Sequence, residues 1–183
     1  MIRELIIYGD PILRTKGRKV TEVNDDIRRL AADMLETMQD AGGVGLAAQQ
    51  VGEALQLTVI DVSHAENRPS RMWISGEEVD PDDHMPLILL NPELKLSRET
   101  EVGPEGCLSF PEVTAEITRA TRVTVKATDL EGKPVEFEAE GLLSRAAQHE
   151  TDHLHGILFI DRMSSVAKVS LGSKLKRLAA GEV

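Results

Sequence analysis

A single cysteine, Cys107, stands in a chain of 183 residues. That excludes a disulfide within the chain, suits a reducing compartment and leaves the thiol free for other chemistry. Aromatic residues are scarce: one Trp, one Tyr and three Phe make up 3% of the sequence, so an interior has to be built mainly from aliphatic side chains. No uninterrupted apolar run approaches the roughly 18 residues of a membrane span. The opening stretch from Met1 to Asp10 lacks the long apolar core and small-residue cleavage site of a secretory signal. Positive charge is in deficit, with 21 Lys and Arg against 31 Asp and Glu, and the net charge of −10 argues against broad adhesion to DNA, other nucleic acids or anionic membranes. Internal repeats and low-complexity tracts are lacking too. With 41% hydrophobic residues, the composition is that of one globular domain over residues 1–183, expected in the cytoplasm.

Periodicity divides the chain into few elements. From an N-cap at Asn24 or Asp25, the apolar residues Ile27, Leu30, Ala31, Met34, Leu35 and Met38 recur at helical spacing until Gly42-Gly43. Leu55 to Val62 and Pro86 to Leu96 read as strands, the second interrupted near Asn91-Pro92. Val113 to Thr118, Val123 to Thr128 and Val135 to Ala139 are short extended runs, the last two joined by a turn at Asp129 to Pro134. A further helix is expected from about Leu142 to His155, stopped by Gly156. The expected class is α+β: antiparallel sheets packed around that last, central helix. Residues 64–85 form an acidic, Pro-containing segment expected as a surface insertion. Residues 163–183 form a tail with Lys168, Lys174, Lys176 and Arg177 and no acid before Glu182. The tail reads as a solvated last helix or, alternatively, as a docking element for the ribosome.

The helix from Leu142 carries His149-Glu150-Thr151-Asp152-His153, the HExxH pattern. At about 3.6 residues per turn, His149 and His153 lie one above the other on one face and can reach one ion. Glu150 sits about 100° round from His149, close enough to handle a proton without being a ligand. Leu142 and Ala146 share this face, with Arg145 at its border. A pair of hydrogen-bonded core histidines is the bland alternative, but it leaves Glu150 as an unexplained carboxylate on a face suited to burial. Asp152 and His155 point elsewhere.

Two histidines make an incomplete catalytic site, which usually has three protein ligands and an open position. A protease of the HExxHxxGxxH type would place the third ligand at the position occupied by Phe159. Downstream carboxylates are limited to Asp161 and Glu182, while upstream Cys107 lies in Glu105-Gly106-Cys107-Leu108-Ser109. A cysteine with two histidines would complete a tetrahedral set with one position for solvent.

Three stretches in order, Gly43-Val44-Gly45-Leu46-Ala47-Ala48-Gln49-Gln50, EGCLS at 105–109 and QHETDH at 148–153, resemble the GxGxAAxQ, EGCLS and QHExDH motifs of peptide deformylases. The resemblance covers roughly residues 1–162. It implies an enzyme that hydrolyses the N-terminal formyl group from formyl-methionyl ends of newly synthesised polypeptides during protein biosynthesis. It also implies Cys107, His149 and His153 as ligands of one divalent metal ion, Fe2+ as the physiological ion with Zn2+ or Ni2+ able to replace it, and Glu150 as the acid–base residue. Under the same resemblance Gly45 allows close backbone approach, while the Gln50 amide and the Leu108 N–H donate to the developing oxyanion. The methionine side chain would enter an apolar pocket near Val44, Leu142 and Ala146, and the peptide would lie as an added strand beside Gly43 to Gly45. Taken alone, Gly42-Gly43 and Gly45 could be merely a helix C-cap and turn. A metallopeptidase cutting internal bonds, a metal-stabilised binding module, and a deformylase-like amidase with altered acyl or peptide preference are the competing readings.

Overall fold

The computed structural model describes residues 1–182. Asn24 opens its first long helix: its side-chain oxygen accepts from the Ile27 N–H at 3.0 Å, Asp25 and Asp26 fill the first turn, and α1 runs from Asp25 to Asp40. Acidic side chains there suit the positive end of the helix dipole. Ile27, Leu30, Ala31, Met34 and Met38 form the buried stripe that the spacing predicts, packed on Leu46, Leu57 and Val59. Burying one side chain such as Met34 contributes about 1.5–3 kcal/mol.

The strands are all antiparallel. β1 (Gly45–Ala47), β2 (Leu57–Ile60), β3 (Ser70–Ile74), β4 (Glu77–Val79), β5 (Leu87–Leu96), β8 (Arg122–Thr128) and β9 (Pro134–Gly141) make one sheet in the order β1-β2-β5-β8-β9-β3-β4. β6 (Thr100–Cys107) and β7 (Phe110–Ala120) form a separate ribbon. The interruption expected at Asn91-Pro92 is a bulge: Asn91 adopts φ 51°, and the β5–β8 register shifts between Leu90 and Glu93.

Segment 64–85 does more than cover the surface. Its polar residues Glu66, Glu77, Glu78, Asp80, Asp82 and Asp83 lie towards solvent, but Ser70 to Val79 fold as the hairpin β3–β4 on the sheet edge, with Met72 opposite Ala139 and buried in the core. Strand alternation thus turns an apolar side chain inward from a segment that is polar in sequence.

β9 hands the chain to α2 (Leu142–Leu154) through Gly141 at φ 72°. A Cβ at Gly141 would lie 2.2 Å from the Pro69 carbonyl oxygen, so the crossing requires glycine. The first helical N–H groups find acceptors across it: Leu142 donates to the Pro69 carbonyl at 3.2 Å and Leu143 to Ser70 Oγ at 2.9 Å. Leu142, Leu143, Ala146 and Ala147 pack on Ile60, Leu89, Val125 and Phe137 of the large sheet. The helix stops at His155, with Gly156 at φ 74° against the Arg14 carbonyl. A third core cluster of Phe110, Ile117, Leu158 and Phe159 joins the ribbon to the segment after α2. The tail forms α3 (Ser165–Ala179), in which only Leu178 is fully buried.

Candidate functional site

Cys107 ends β6, whereas His149, Glu150 and His153 project from α2, so the ribbon and the helix bring the residues together. One donor atom each from Cys107, His149 and His153 lies within 4.8 Å of the others, and Cys107 Sγ is 3.4 Å from His153 Nε2. Asp161 and Glu182, the downstream alternatives, are not in this group: Asp161 instead pairs with Arg14. The position of Phe159 is apolar core.

His149 is held by its neighbours, whereas His153 Nδ1 is buried with no hydrogen-bond partner among the described residues. Glu105, two residues before Cys107 on the same strand, accepts from His149 Nδ1 at 3.0 Å, which leaves His149 Nε2 as the free lone pair. Arg119 on β7 grips the same carboxylate at 3.0–3.2 Å and donates to Asp152 at 2.6 Å, while Arg162 donates to Asp152 at 2.9 and 3.1 Å. Burial would raise the Glu105 carboxyl, but hydrogen bonds from His149 and Arg119 outweigh it and hold the group at about 2. Burial disfavours charge on both histidines. It leaves His153 well below the usual imidazole value, but hydrogen bonding with Cys107 and Glu105 carries His149 well above it. Glu105 thus favours positive charge at His149, whereas burial disfavours it at His153.

Glu150 Oε1 lies 4.0 Å from His149 Nε2, and its Oε2 is buried with no partner among the described residues. Burial pushes this carboxyl up to about 7. Gly45 explains how Glu150 fits: a Cβ there would be 2.6 Å from Glu150 Oε1. The close approach made possible by Gly45 is therefore to the carboxylate. Gly43 is restricted in the same way by Leu108, whose Cδ1 would lie 2.8 Å from a Cβ. The segment is thus more than a turn after α1.

Gln50 is fixed at both ends of its amide. Its Oε1 accepts from the Ala47 N–H at 2.9 Å, and its Nε2 donates to Ser109 Oγ at 3.1 Å and towards Cys107 Sγ at 3.4 Å. Gly43, Val44, Gly45, Gln50, Cys107, Leu108, Leu142, Ala146, His149 and Glu150 all line one cavity of about 500 Å³. His153 lies behind this wall and is buried. A cleft of about 590 Å³ on the other side of α2, lined by Lys16, Asn91 and Asp152 among others, is the larger space but contains none of the three clustered donors. Donor chemistry, not volume, decides between the two.

Sequence reasoning overlooked Glu105, although it stands in the EGCLS stretch, and Arg119, for which no local signal exists. Asp152, expected to point away from the ligand face, does so and meets Arg119 and Arg162. Arg145, left open at the border, is buried and donates to the Ile117 carbonyl at 2.8 Å and the Glu101 carbonyl at 3.3 Å.

A soft thiol and two imidazoles beside a buried carboxylate, inside an α+β frame, define the class as a metal-dependent hydrolase. Comparison with known proteins narrows it. A profile of the polypeptide deformylase family matches residues 2–169. The chain is 49% identical over 182 residues to a peptide deformylase of Methylacidiphilum infernorum, covering 100% of this chain and 95% of that one. The peptide deformylase structure from Thermus thermophilus superimposes with a TM-score of 0.82 at 35% identity, covering 99% of each chain, and that from Thermotoga maritima with 0.77 at 39% identity, covering 90% of this chain and 99% of its own. The chain belongs to the polypeptide deformylase family, metal-dependent hydrolases that remove N-terminal formyl groups from nascent polypeptides.

Proposed function

We propose that Cys107, His149 and His153 hold one divalent ion, with Fe2+ as the physiological metal and Zn2+ or Ni2+ able to take its place. A single observation carries this reading: the three donor atoms lie within 4.8 Å of one another beside a carboxylate and a cavity. One soft sulfur and two borderline nitrogens fit such ions better than Mg2+ or Ca2+. When bound, the ion supplies Lewis-acid polarisation and lowers the pKa of water. On this reading α2 is the central, metal-holding element and residues 1–183 act as one catalytic domain.

Glu150 is the proton carrier. Its buried carboxylate takes a proton from the attacking water and delivers it to the departing amine. The Leu108 N–H and the Gln50 Nε2, the latter giving up its long contact with Cys107 Sγ, donate to the oxygen that becomes negative on the substrate carbon. Leu108 suits this role because its N–H has no protein partner among the described residues. Val44, Leu142 and Ala146 receive the methionine side chain, and the peptide runs along Gly43 to Gly45 as an added strand. A formyl carbon carries only hydrogen besides its oxygen and nitrogen, so a wall of Gly45 backbone and the Glu150 carboxylate admits it and clashes with an acetyl methyl.

Anaerobically purified, iron-loaded protein releasing formate from a short formyl-Met peptide, and leaving acetyl-Met peptides and internal peptide bonds intact, is the expected result. Efficient hydrolysis of the acetyl peptide would point instead to a deformylase-like amidase with altered acyl preference. An Fe2+–thiolate centre oxidises in air, so equal activity in air with zinc alone would reject iron as the physiological metal.

Among the described residues no helix is long and apolar enough to cross a membrane, and a cytoplasmic location fits the substrate. The basic residues of α3, with Lys168, Lys176 and Arg177 exposed, are suited to docking on the ribosome near the emerging chain. Salt-sensitive co-pelleting with ribosomes that disappears when residues 164–183 are deleted supports this; unchanged pelleting rejects it.

A further inference from the structure

The cavity beside the three donors has one lining residue supplied by segment 64–85. Arg68 reaches it from a backbone that is held in place: Pro69, the next residue, accepts from the Leu142 N–H, and Ser70 accepts from Leu143. Close contact between Gly141 and Pro69 locks the same crossing. Arg68 therefore starts from the N-terminal end of α2, and its guanidinium spans to the ribbon, donating to the Pro104 carbonyl at 3.1 Å next to Glu105. The other arginine in the cavity wall, Arg145, is buried and spends its donors on the Ile117 and Glu101 carbonyls. Arg68 differs from it in two respects. It is exposed, and among the described residues no carboxylate lies within ion-pair distance of it.

A guanidinium presents five donors, of which one bond within the chain is made here. Arg68 lines a space that, on the reading above, a formyl-methionyl end occupies at its apolar wall. A substrate polypeptide must leave that space over its rim. The whole chain carries −10, so its general field disfavours acidic peptides, and a fixed cation at the rim opposes that field locally. Glu112, on β7, is the exposed acid that lines the same cavity.

The geometry points to Arg68 as a specificity-determining residue that binds the substrate chain beyond its methionine and selects for an acidic side chain there. This rests on the deformylase reading of the cavity. Binding through an exposed ion pair acts on KM and leaves kcat in place, because the contact is the same in ground and transition states. Its size is that of a surface pair, about threefold in KM, and it weakens as salt is added.

The test uses formyl-Met-Ala-Glu, formyl-Met-Ala-Gln and formyl-Met-Ala-Lys peptides, all C-terminally amidated, together with the Met-Glu-Ala and Met-Lys-Ala permutations. Wild-type protein is expected to favour the glutamate over the lysine peptide by about threefold in kcat/KM at one of the two positions, through KM. Arg68→Ala should bring that ratio to one or below, Arg68→Glu should invert it, and Arg68→Lys should retain most of it. The neutral peptide should be deformylated at similar kcat by all four proteins. Equal ratios in the wild-type and Arg68→Ala proteins at both positions overturn the assignment. If even the neutral peptide yields no formate, the deformylase reading of the cavity fails, and Arg68 is judged by calorimetric titration of the same peptides, where an unchanged Glu-to-Lys affinity ratio in Arg68→Ala rejects it.

Discussion

Glu150 is the proposed proton carrier, and its environment allows that role to be separated from a structural one. Its carboxyl is buried, raised to about 7 by burial, and one oxygen lacks a partner among the described residues, so charge there is costly unless a proton or cation is handled nearby. Glu150→Gln preserves volume and removes proton transfer. Formate release should fall by about 10²–10⁴-fold with metal content per chain unchanged by elemental analysis. Loss of the metal together with activity would mean that Glu150 has a ligating or structural role instead. Gly45 offers a complementary test from the other side of the same contact. Gly45→Ala places a methyl 2.6 Å from Glu150 Oε1, and one of the two must move. Strain of this kind costs about 1–3 kcal/mol. We expect a lowered urea midpoint and a loss of kcat exceeding that of Gly172→Ala in α3, where a Cβ meets nothing within 4 Å. Equal kinetic effects at both glycines would show that the contact with Glu150 is irrelevant.

At the scale of elements, legibility in the sequence followed locality. α1 was legible because its cap, its acidic first turn and its apolar stripe all lie within the helix, and α2 because HExxH imposes its own spacing. β6 was not anticipated. Gly103, Pro104 and Gly106 are poor strand formers, and the strand exists because β7 pairs with it from Thr100–Ala120 to Gly106–Thr114. The same non-locality concealed Glu105, whose task depends on His149 and Arg119 arriving from α2 and β7. Gly43 to Gly45, open between turn and site from sequence, became readable once Leu108 and Glu150 were found against it. Another link between distant elements can be tested by acid. Asp161 after α2 accepts from Arg14 Nη2 at 3.0 Å and from the Leu158 N–H at 3.0 Å. Burial would raise its carboxyl, but the Arg14 and Leu158 hydrogen bonds prevail and hold it below the usual 3.8. A depressed folded pKa stabilises above the unfolded value, and that contribution drains away as pH falls through the folded one. The pair is more than one third exposed, so its effect is small. The urea midpoint of wild-type protein should exceed that of Asp161→Asn near pH 7, with the gap narrowing below about pH 4. A gap independent of pH would show that the charge on Asp161 contributes nothing.

For the whole molecule, the donors join two separately built parts: Cys107 belongs to the β6–β7 ribbon, whereas His149 and His153 ride on the helix packed against the seven-stranded sheet. An ion held by all three ties these parts together and binds the folded chain in preference to the unfolded one, where the donors are far apart in sequence. Folding free energy should therefore rise with free metal. At a thousandfold excess over the dissociation constant the gain is about 4 kcal/mol, which for a chain of this size corresponds to roughly 8–16 °C in Tm. Chelation followed by calorimetry should lower Tm by that order, and anaerobic addition of Fe2+, Ni2+ or Zn2+ should restore it. Cys107→Ala removes one donor at the cost of a single sulfur packed at the edge of the Phe110 and Phe159 core, so its Tm should lie close to that of the chelated wild type and respond weakly to added ions. His64→Ala, at an exposed histidine outside the donor group, should respond fully. If Cys107→Ala recovered the full metal-dependent rise, the ion would be held without the ribbon's sulfur, and the ligand set proposed for this deformylase would be wrong.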